Sequence, residues 1–187
     1  WGRPPHVIIL TGGEGSHRGC CNTSAEEIIA ARHQLTLKAA ATLGLPESHI
    51  HSLSYPDGEV TLEHPETERL QALLSELAPQ SVFVPHRGEG WSDHLQAAEI
   101  TKHLLKGQDV SIYEYCVWMW YYNVWCLDFK QARLLCMSHA QHQSKLQAVD
   151  EYVTPLAPCG KPWSGVLPKP FLKAARWNKE LFFKVND

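Results

Sequence analysis

Apolar positions along the chain alternate between short continuous runs and helical stripes. The runs at 6–11 (HVIILT) and 81–85 (SVFVP) are typical of strands that are covered on both faces of a sheet. Four leucines, Leu70, Leu73, Leu74 and Leu77, instead follow the i, i+3, i+4, i+7 spacing of an amphipathic helix. This alternation, with short connections, predicts an α/β fold with a parallel sheet and right-handed crossovers.

The remaining predicted elements continue the alternation. A capping box of Ser24 and Glu27 begins a helix that runs to about Leu43 and is closed by Gly44. Further strands are predicted at 49–55, 109–116 and 132–137, and further helices at 92–106 and from His139 to about Tyr152. The segment from Thr154 to Pro170 is rich in proline and predicts irregular structure. No repeat or second domain is visible, so residues 1–187 are predicted to form a single domain.

Composition narrows the function classes. A chain of 187 residues, 44% of them hydrophobic, can bury a sizeable core. The net charge of −3 and the lack of a Lys/Arg cluster argue against nucleic-acid binding and against an anionic membrane surface. No apolar run approaches the roughly 20 residues that span a bilayer, so membrane contact is not indicated. The six cysteines form no CxxC pair, which favours a reducing cytoplasm and free thiols at Cys20 and Cys21 over a strained disulfide.

The most informative segment lies at 81–104, where a Gly-rich loop leads from Pro85 to Ser92, Asp93 and His94. Ser92 can serve as the N-cap of the next helix, which places Asp93 and His94 beside the carboxyl end of a strand. Open α/β sheets bind their ligands at that edge. An imidazole there is a natural zinc ligand, and an adjacent carboxylate can orient it or take part in proton transfer. The alternative interpretation is a simple capping pair followed by a surface histidine.

A second Gly-rich loop, at 11–22, follows the first predicted strand. It lacks a dinucleotide fingerprint, because Arg18 stands where the third glycine would be and Glu14 would direct negative charge at a pyrophosphate. A loop that carries Glu14, His17 and Arg18 suits a polar, hydroxyl-rich ligand better, with a surface turn as the alternative. A nucleotide-binding function therefore ranks last.

Other histidines and aromatic residues allow more than one interpretation. The pairs His139/His142 and His49/His51 each share one face of an element, but neither has a third ligand nearby in the sequence, so both are interpreted as surface or core-edge pairs. The aromatic run from 118 to 125 is interpreted as core. A substrate wall is its alternative, because indole faces stack on sugar rings.

Taken together, six motifs in order resemble the LmbE-like (PIG-L) N-deacetylases over nearly the whole chain. They are Leu10-Thr11-x-Gly13-Glu14-x-Ser16, Arg32, Tyr55-Pro56-Asp57-Gly58, Pro85 with Asp93-His94, Tyr113-Glu114-Tyr115, and Lys145-x-x-Ala148-x-x-x-Tyr152. The resemblance implies a Rossmann-like three-layer α/β/α fold with a mainly parallel sheet. It also implies a mononuclear Zn²⁺ site and hydrolysis of an N-acetyl group on an amino sugar, GlcNAc in a glycoside or glycoconjugate.

The same resemblance implies roles for individual residues. His94 matches a zinc ligand, and its neighbour Asp93 is the candidate catalytic carboxylate. The candidate substrate-binding residues are Glu14, Arg32, Asp57 and Trp91. An amino-sugar compound is thus the expected partner, and a homo-oligomer stays open.

Two departures from the family pattern are visible. The His-Pro-Asp-Asp motif, which brings further zinc ligands and the general base, does not occur, and it is expected upstream of Trp1 with a strand and a helix. Trp91 stands where the family often has a histidine that stabilises the oxyanion, and whether His86 or Trp91 substitutes is left open. The alternative function is therefore a catalytically inactive sugar-binding or regulatory member of the same fold.

Overall fold

The computed structural model describes residues 4–19, 22–122, 125 and 127–185, which form two compact units. The first unit comprises Trp1–Asp57 and Met137–Arg176, and the second comprises Gly58–Cys136 and Trp177–Asp187. The single-domain prediction stays a prediction. The predicted thiols at Cys20 and Cys21 lie outside the described residues.

Six strands and six helices are found in the described residues. In chain order they are β1 (Val7–Thr11), α1 (Ala25–Thr42), β2 (Ile50–Tyr55), α2 (Glu66–Leu77), β3 (Ser81–Pro85), α3 (Ser92–Leu104), β4 (Ser111–Tyr115), α4 (Met119–Tyr122), β5 (Ala132–Cys136), α5 (His139–Val153), α6 (Lys169–Ala175) and β6 (Lys179–Lys184). All nine elements predicted from the sequence are present, each within a few residues of its expected bounds. None of the described helices is long and apolar enough to cross a membrane.

The first unit pairs a two-stranded parallel sheet with a pair of packed helices. β1 and β2 run in parallel, with Val7 opposite Ile50 and Thr11 opposite Tyr55. The predicted capping box at the start of α1 is confirmed, since Ser24 Oγ accepts the Glu27 N–H and the Glu27 carboxylate accepts the Ser24 N–H. α1 packs against α5, and Ala148 of α5 is buried.

The second unit contains a four-stranded sheet in the order β3-β4-β6-β5. β3 and β4 are parallel and in register from Ser81/Ser111 to Pro85/Tyr115. β6 is antiparallel to both of its neighbours, β4 and β5. Its Phe183 is buried in a cluster with Met119 and Leu127.

The expectation of a mainly parallel sheet is therefore not met in the second unit, whose sheet is mixed. The cause is β6, which was not predicted, because its sequence KELFFK has only a short apolar run at Leu181–Phe183 and no alternation of apolar and polar positions. α6 was also missed, because Pro168 and Pro170 suggested irregular structure where Pro170 in fact occupies the first turn of a helix. The three-layer arrangement stays a prediction.

One predicted helix boundary is wrong by a residue. Ser92 was expected to be the N-cap of α3, but Trp91 holds that position, with no side-chain cap, and Ser92 is the first helical residue. Asp93 still lies in the first turn, where a negative charge interacts favourably with the helix dipole.

A buried carboxylate stabilises the centre of the second unit. The Glu114 side chain, on β4, is fully buried and bonds to Arg87 Nε at 2.9 Å and Lys102 Nζ at 2.9 Å. Burial raises the pKa of Glu114, but the bonds to Lys102 and Arg87 outweigh it and hold the pKa below its ordinary value. Glu114 is therefore ionised in the fold and ties α3 to the sheet.

Replacing Glu114 by Gln should lower the free energy of unfolding by about 2 kcal/mol, because Arg87 and Lys102 would lose their charged acceptor while keeping part of their hydration. Urea denaturation measures the loss. Glu99→Gln is the matched control, since Glu99 bonds to the same Lys102 but its side chain is 66% exposed, and it should cost under about 0.5 kcal/mol. Equal losses in the two variants would contradict this account.

Candidate functional site

His94 in the second unit is held by a buried carboxylate that the sequence analysis did not single out. His94 Nδ1 lies 3.1 Å from Glu89 Oε2, and the Glu89 side chain is fully buried. A carboxylate can only accept a hydrogen bond, so His94 Nδ1 carries the proton. His94 Nε2 is then the nitrogen that can bind a metal ion or accept a proton.

Glu89 is itself fixed by backbone donors. Its two oxygens accept the N–H groups of Val117 at 2.6 Å, Trp118 at 2.8 Å and Met119 at 3.3 Å. These residues lie where the chain leaves β4 and enters the short helix α4. The loop that follows β4 therefore holds the group that orients the histidine of α3.

The balance of burial and hydrogen bonding decides the charge of Glu89. Burial raises its pKa, but the bonds from His94 and from the backbone of Val117, Trp118 and Met119 together outweigh it, so the pKa lies below its ordinary value. Glu89 is therefore a carboxylate at neutral pH.

The loop between β3 and α3 requires a small residue next to Glu89. A Cβ atom on Gly88 would lie 2.9 Å from Met119 Cε and 3.1 Å from His86 Nδ1. A side chain at this position would require both neighbours to shift, so glycine fits here with the least disturbance.

Asp93 is buried and bonds to a neighbouring turn of the second unit. Its oxygens accept the N–H of Gly58 at 2.7 Å and that of Val60 at 3.3 Å. These bonds fix the backbone at 58–60 and occupy both carboxylate oxygens. The catalytic role of Asp93 stays a prediction.

The two candidates for the missing oxyanion histidine differ in their surroundings. His86 Nδ1 accepts the Gly88 N–H at 2.9 Å, so its Nε2 carries the proton and faces Glu114 Oε2 at 3.7 Å. Burial lowers the pKa of His86, more than the charge of Glu114 raises it. Trp91, by contrast, is half exposed, and its ring stacks on Trp118 with 6.0 Å between centroids. The geometry therefore favours Trp91 over His86 as the side chain accessible to a substrate.

The aromatic run is only partly core. Trp118 and Trp120 are half-buried, whereas Tyr121 and Trp125 are exposed, Trp125 to 91%. Its use as a substrate wall stays a prediction.

In the first unit, the side chains of Glu14 and Asp57 join the loop after β1 to the turn after β2. The Asp57 N–H donates to Glu14 Oε1 at 2.8 Å, and the Gly15 N–H donates to Asp57 Oδ2 at 2.9 Å. Thr11 Oγ1 lies 3.5 Å from Asp57 Oδ1. Among the described residues, the buried atoms Glu14 Oε2 and Ser16 Oγ have no hydrogen-bond partner. A buried acceptor and a buried hydroxyl without partners are suited to hydrogen bonds with the hydroxyl groups of a polar ligand.

Arg32 crosses the same loop from α1. Its guanidinium lies over the ring of Tyr152, 5.8 Å from the centroid, and Nη1 donates to the carbonyl of Trp163 at 3.4 Å. Gly13 has a positive φ of 68°, and a Cβ there would lie 2.5 Å from Arg32 Cζ. Gly13 thus gives the guanidinium room to lie against the loop backbone.

The predicted site residues fall into two groups. Glu14, Arg32 and Asp57 belong to the first unit, and Trp91, Asp93 and His94 belong to the second. Hydrogen bonds join the segments that carry Glu14 and Asp57. The expectation that His94 and Asp93 lie in one cleft, within reach of Glu14, Arg32 and Asp57, stays a prediction.

The histidine pairs differ in their environments. His142 Nε2 lies 2.9 Å from the carbonyl of Arg176. His49 and His51 are joined by His6, which stacks on His49 with 3.9 Å between centroids and places Nδ1 2.9 Å from His51 Nε2. The parallel pairing of β1 with β2 brings His6 next to His49 and His51, from which it is distant in the sequence. The sequence analysis therefore did not associate it with them.

A match to a family model now decides the classification. The PIG-L model, described as GlcNAc-PI de-N-acetylase, matches residues 2–105, more than half of the chain. The chain belongs to the PIG-L family. No curated protein sequence matches it.

Several solved structures share the PIG-L fold of this chain. N,N'-diacetylchitobiose deacetylase from Pyrococcus horikoshii is 17% identical with a TM-score of 0.59, and the match covers 81% of this chain and 59% of that one. The A40926 pseudoaglycone deacetylase Dbv21 is 16% identical with a TM-score of 0.66, covering 98% and 85%. A zinc-inhibited form of the teicoplanin deacetylase Orf2 is 10% identical with a TM-score of 0.60, covering 98% and 85%. The chain thus spans about three fifths of the length of the archaeal deacetylase.

Zinc, the metal that the PIG-L resemblance implies, is only partly accommodated by the described residues. His94 and Glu89 resemble the pairs found at metal sites, in which a carboxylate accepts the Nδ1–H of a histidine and so orients the metal-binding Nε2. The described part of the chain, however, contains no group of three or more side chains that could hold a metal ion. These residues therefore do not complete a zinc site by themselves.

Sequence reasoning missed Glu89 although a signal was present. It lies between Gly88 and Gly90, five residues before His94 in a loop that follows a buried strand. An acidic residue in such a loop is a candidate partner for the histidine. Its backbone donors, however, come from 117–119 and are visible only in the fold.

Replacing Gly13 by Ala should destabilise the chain by about 1 kcal/mol more than replacing Gly44, because the new Cβ displaces Arg32. Gly44 is the matched control, since its φ of 76° is equally positive but no atom lies within 4 Å of the added Cβ. Urea unfolding of both variants measures the difference. The account of Arg32 is contradicted if the two losses are equal.

Acidification should lower the free energy of unfolding in two pH windows, because folding lowers the pKa of His86, Glu89 and Glu114 and the unfolded chain then binds more protons. The contribution of His86 to the free energy of unfolding is lost as pH falls below about 6.5. The contributions of Glu89 and Glu114 are lost as pH falls below about 4.3. Urea titrations from about pH 7.5 down to about pH 2.5 measure both windows. His86→Asn should remove only the upper window, and stability that stays flat or rises on acidification would contradict the assignment.

Proposed function

We propose that this protein is a zinc-dependent hydrolase that removes an N-acetyl group from an amino sugar, of the GlcNAc type, in a glycoside or glycoconjugate. Membership of the PIG-L family supports the reaction class, and the deacetylases among the structural neighbours support the acyl group. The observation that carries the proposal is the hydrogen bond from His94 Nδ1 to the buried Glu89.

His94 is the proposed zinc ligand. Its ring is oriented by Glu89, which in turn is fixed by three backbone N–H groups, so little freedom is lost when Nε2 binds a metal. In amide hydrolysis, zinc polarises the carbonyl and activates a water molecule. We propose that the other ligands come from outside the described residues.

Asp93 is the proposed catalytic carboxylate, beside His94 on the first turn of α3. Its two oxygens accept bonds from Gly58 and Val60, and each oxygen has a second lone pair that can take part in proton transfer. The same bonds hold the carboxylate in one orientation, as such a role requires.

Glu14, Arg32, Asp57 and Trp91 are the proposed substrate-binding residues. The buried Glu14 Oε2 is available to accept a sugar hydroxyl, and Trp91 offers a half-exposed indole face for a pyranose ring. Arg32 and Asp57 would contact further hydroxyl groups. The proposed setting is cytoplasmic, consistent with the thiols at Cys116, Cys136 and Cys159, and a homo-oligomer stays open.

A second candidate function is that of an inactive sugar-binding or regulatory protein. Two observations favour it: Trp91 replaces the histidine often found in the family, and the described residues lack a three-ligand group. Such a protein would bind the sugar without hydrolysing it.

Replacing His94 by Ala in the natural protein should reduce deacetylation of a GlcNAc glycoside by at least about 1,000-fold and lower the bound zinc, because one metal ligand is lost. His103→Ala is the control, since His103 is an exposed residue of the same helix, and it should keep full activity. Acetate release and metal analysis measure the two effects.

Two outcomes would contradict the proposal. An unaffected His94→Ala enzyme would place the chemistry elsewhere. Sugar binding by the natural protein without any acetate release would favour the second candidate function.

A further inference from the structure

The first unit contains a cysteine-histidine pair that plays no part in the proposed hydrolysis. Cys159 Sγ lies 3.6 Å from His17 Nδ1. His17 ends the short 3-10 turn Glu14–His17 that follows β1, and it is only 2% exposed. Two side chains 142 residues apart in the sequence thus meet at one place.

The tautomer of His17 follows from its other nitrogen. His17 Nε2 lies 3.1 Å from the carbonyl oxygen of Pro162, which can only accept a hydrogen bond. Nε2 therefore carries the proton of the neutral ring, and Nδ1 presents its lone pair to the thiol. This is the arrangement in which a histidine takes the proton of a nucleophilic cysteine.

The loop that carries Cys159 is held in place by its backbone. The Gly160 N–H donates to the carbonyl of Ala157 at 2.8 Å, and the Ala157 N–H donates to the carbonyl of Lys161 at 2.8 Å. The ring of Trp163 packs edge-on against His17, with 5.7 Å between centroids. The thiol and the imidazole are thus both fixed, and their pairing needs little ordering on reaction.

Cys159 also lines an open surface pocket of about 850 Å³ in the first unit. The other lining residues include Asn22, Thr23, Glu27 and Trp163. A volume of this size accepts a small organic molecule, and amide, hydroxyl and carboxylate groups suit a polar one. The half-buried thiol is therefore accessible from a space with room for a reagent.

We propose that Cys159 and His17 form a thiol-exchange site that reacts with low-molecular-weight disulfides. The Cys159 thiol gives its proton to His17 Nδ1, and the thiolate attacks one sulfur of the disulfide. A Cys159–S bond forms as the disulfide bond breaks, and the other half leaves as a thiolate that takes the proton from His17. Cys159 is oxidised to a mixed disulfide while one molecule of thiol is released.

Two other cysteines provide internal comparisons. Burial, with the charges of Glu89 and Glu114, raises the pKa of Cys116 to about 12, so this thiol should not react near neutrality. Cys136 on β5 is exposed and serves as the accessible reference thiol.

The test exposes the whole chain to oxidised glutathione at about pH 7 and follows each cysteine by mass spectrometry of tryptic peptides. Cleavage after Lys145 separates Cys136 from Cys159. The mixed disulfide should form about ten times faster at Cys159 than at Cys136, because an unassisted thiol is only a few per cent ionised at this pH. Equal or slower reaction at Cys159 would overturn the proposal.

A variant isolates the contribution of His17. Asn at position 17 can accept the S–H bond but cannot take the proton, so His17→Asn should slow Cys159 about tenfold and leave Cys136 unchanged. An unchanged rate at Cys159 would overturn the role of His17. Faster reaction at Cys116 in the variant would show that the fold is lost. In that case the ratio of the Cys159 rate to the Cys136 rate in the unaltered chain decides the proposal.

Discussion

The hydrogen bond between the buried carboxylate of Glu89 and His94 is the interaction on which the candidate site depends. A buried carboxylate without partners would be strongly destabilising, so this one stays ionised only because three backbone N–H groups and an imidazole donate to it. In return it fixes the tautomer and the orientation of His94. The site chemistry therefore depends on the path of the chain after β4 as much as on the histidine itself.

Three buried carboxylates in the second unit are stabilised in this way. Glu89, Asp93 and Glu114 are all buried, and each is compensated by donors from another part of that unit. For Glu114 the donors are the cations Arg87 and Lys102, and for the other two they are mainly backbone groups. Removing one partner of such a group leaves an uncompensated charge, so these carboxylates stabilise the local fold. Loss of this stabilisation in acid follows for Glu89 and Glu114, whose pKa values the fold lowers.

The sequence analysis predicted the elements that follow from short-range patterns. It failed where contacts between distant segments determine the structure. The capping box at Ser24, the helix over Leu70–Leu77 and the parallel pair β3-β4 follow from short-range patterns. The mixed sheet follows from β6, whose six residues form a strand only because β4 and β5 flank it. At the candidate site, His94 and Asp93 were found from their position after a strand. The backbone donors to Glu89, and the partners of the His17 ring, lie 28 to 145 residues away, beyond any spacing argument.

The most direct test of the central claim is the tautomer of His94, read from long-range ¹H–¹⁵N correlations of the imidazole rings at about pH 8 in the metal-free chain. The bond to Glu89 predicts that the proton is on Nδ1 and that the Nε2 resonance is that of an unprotonated nitrogen. In Glu89→Gln this preference should weaken or reverse, whereas Glu99→Gln should leave it unchanged. A proton on His94 Nε2 in the unaltered chain would contradict the account.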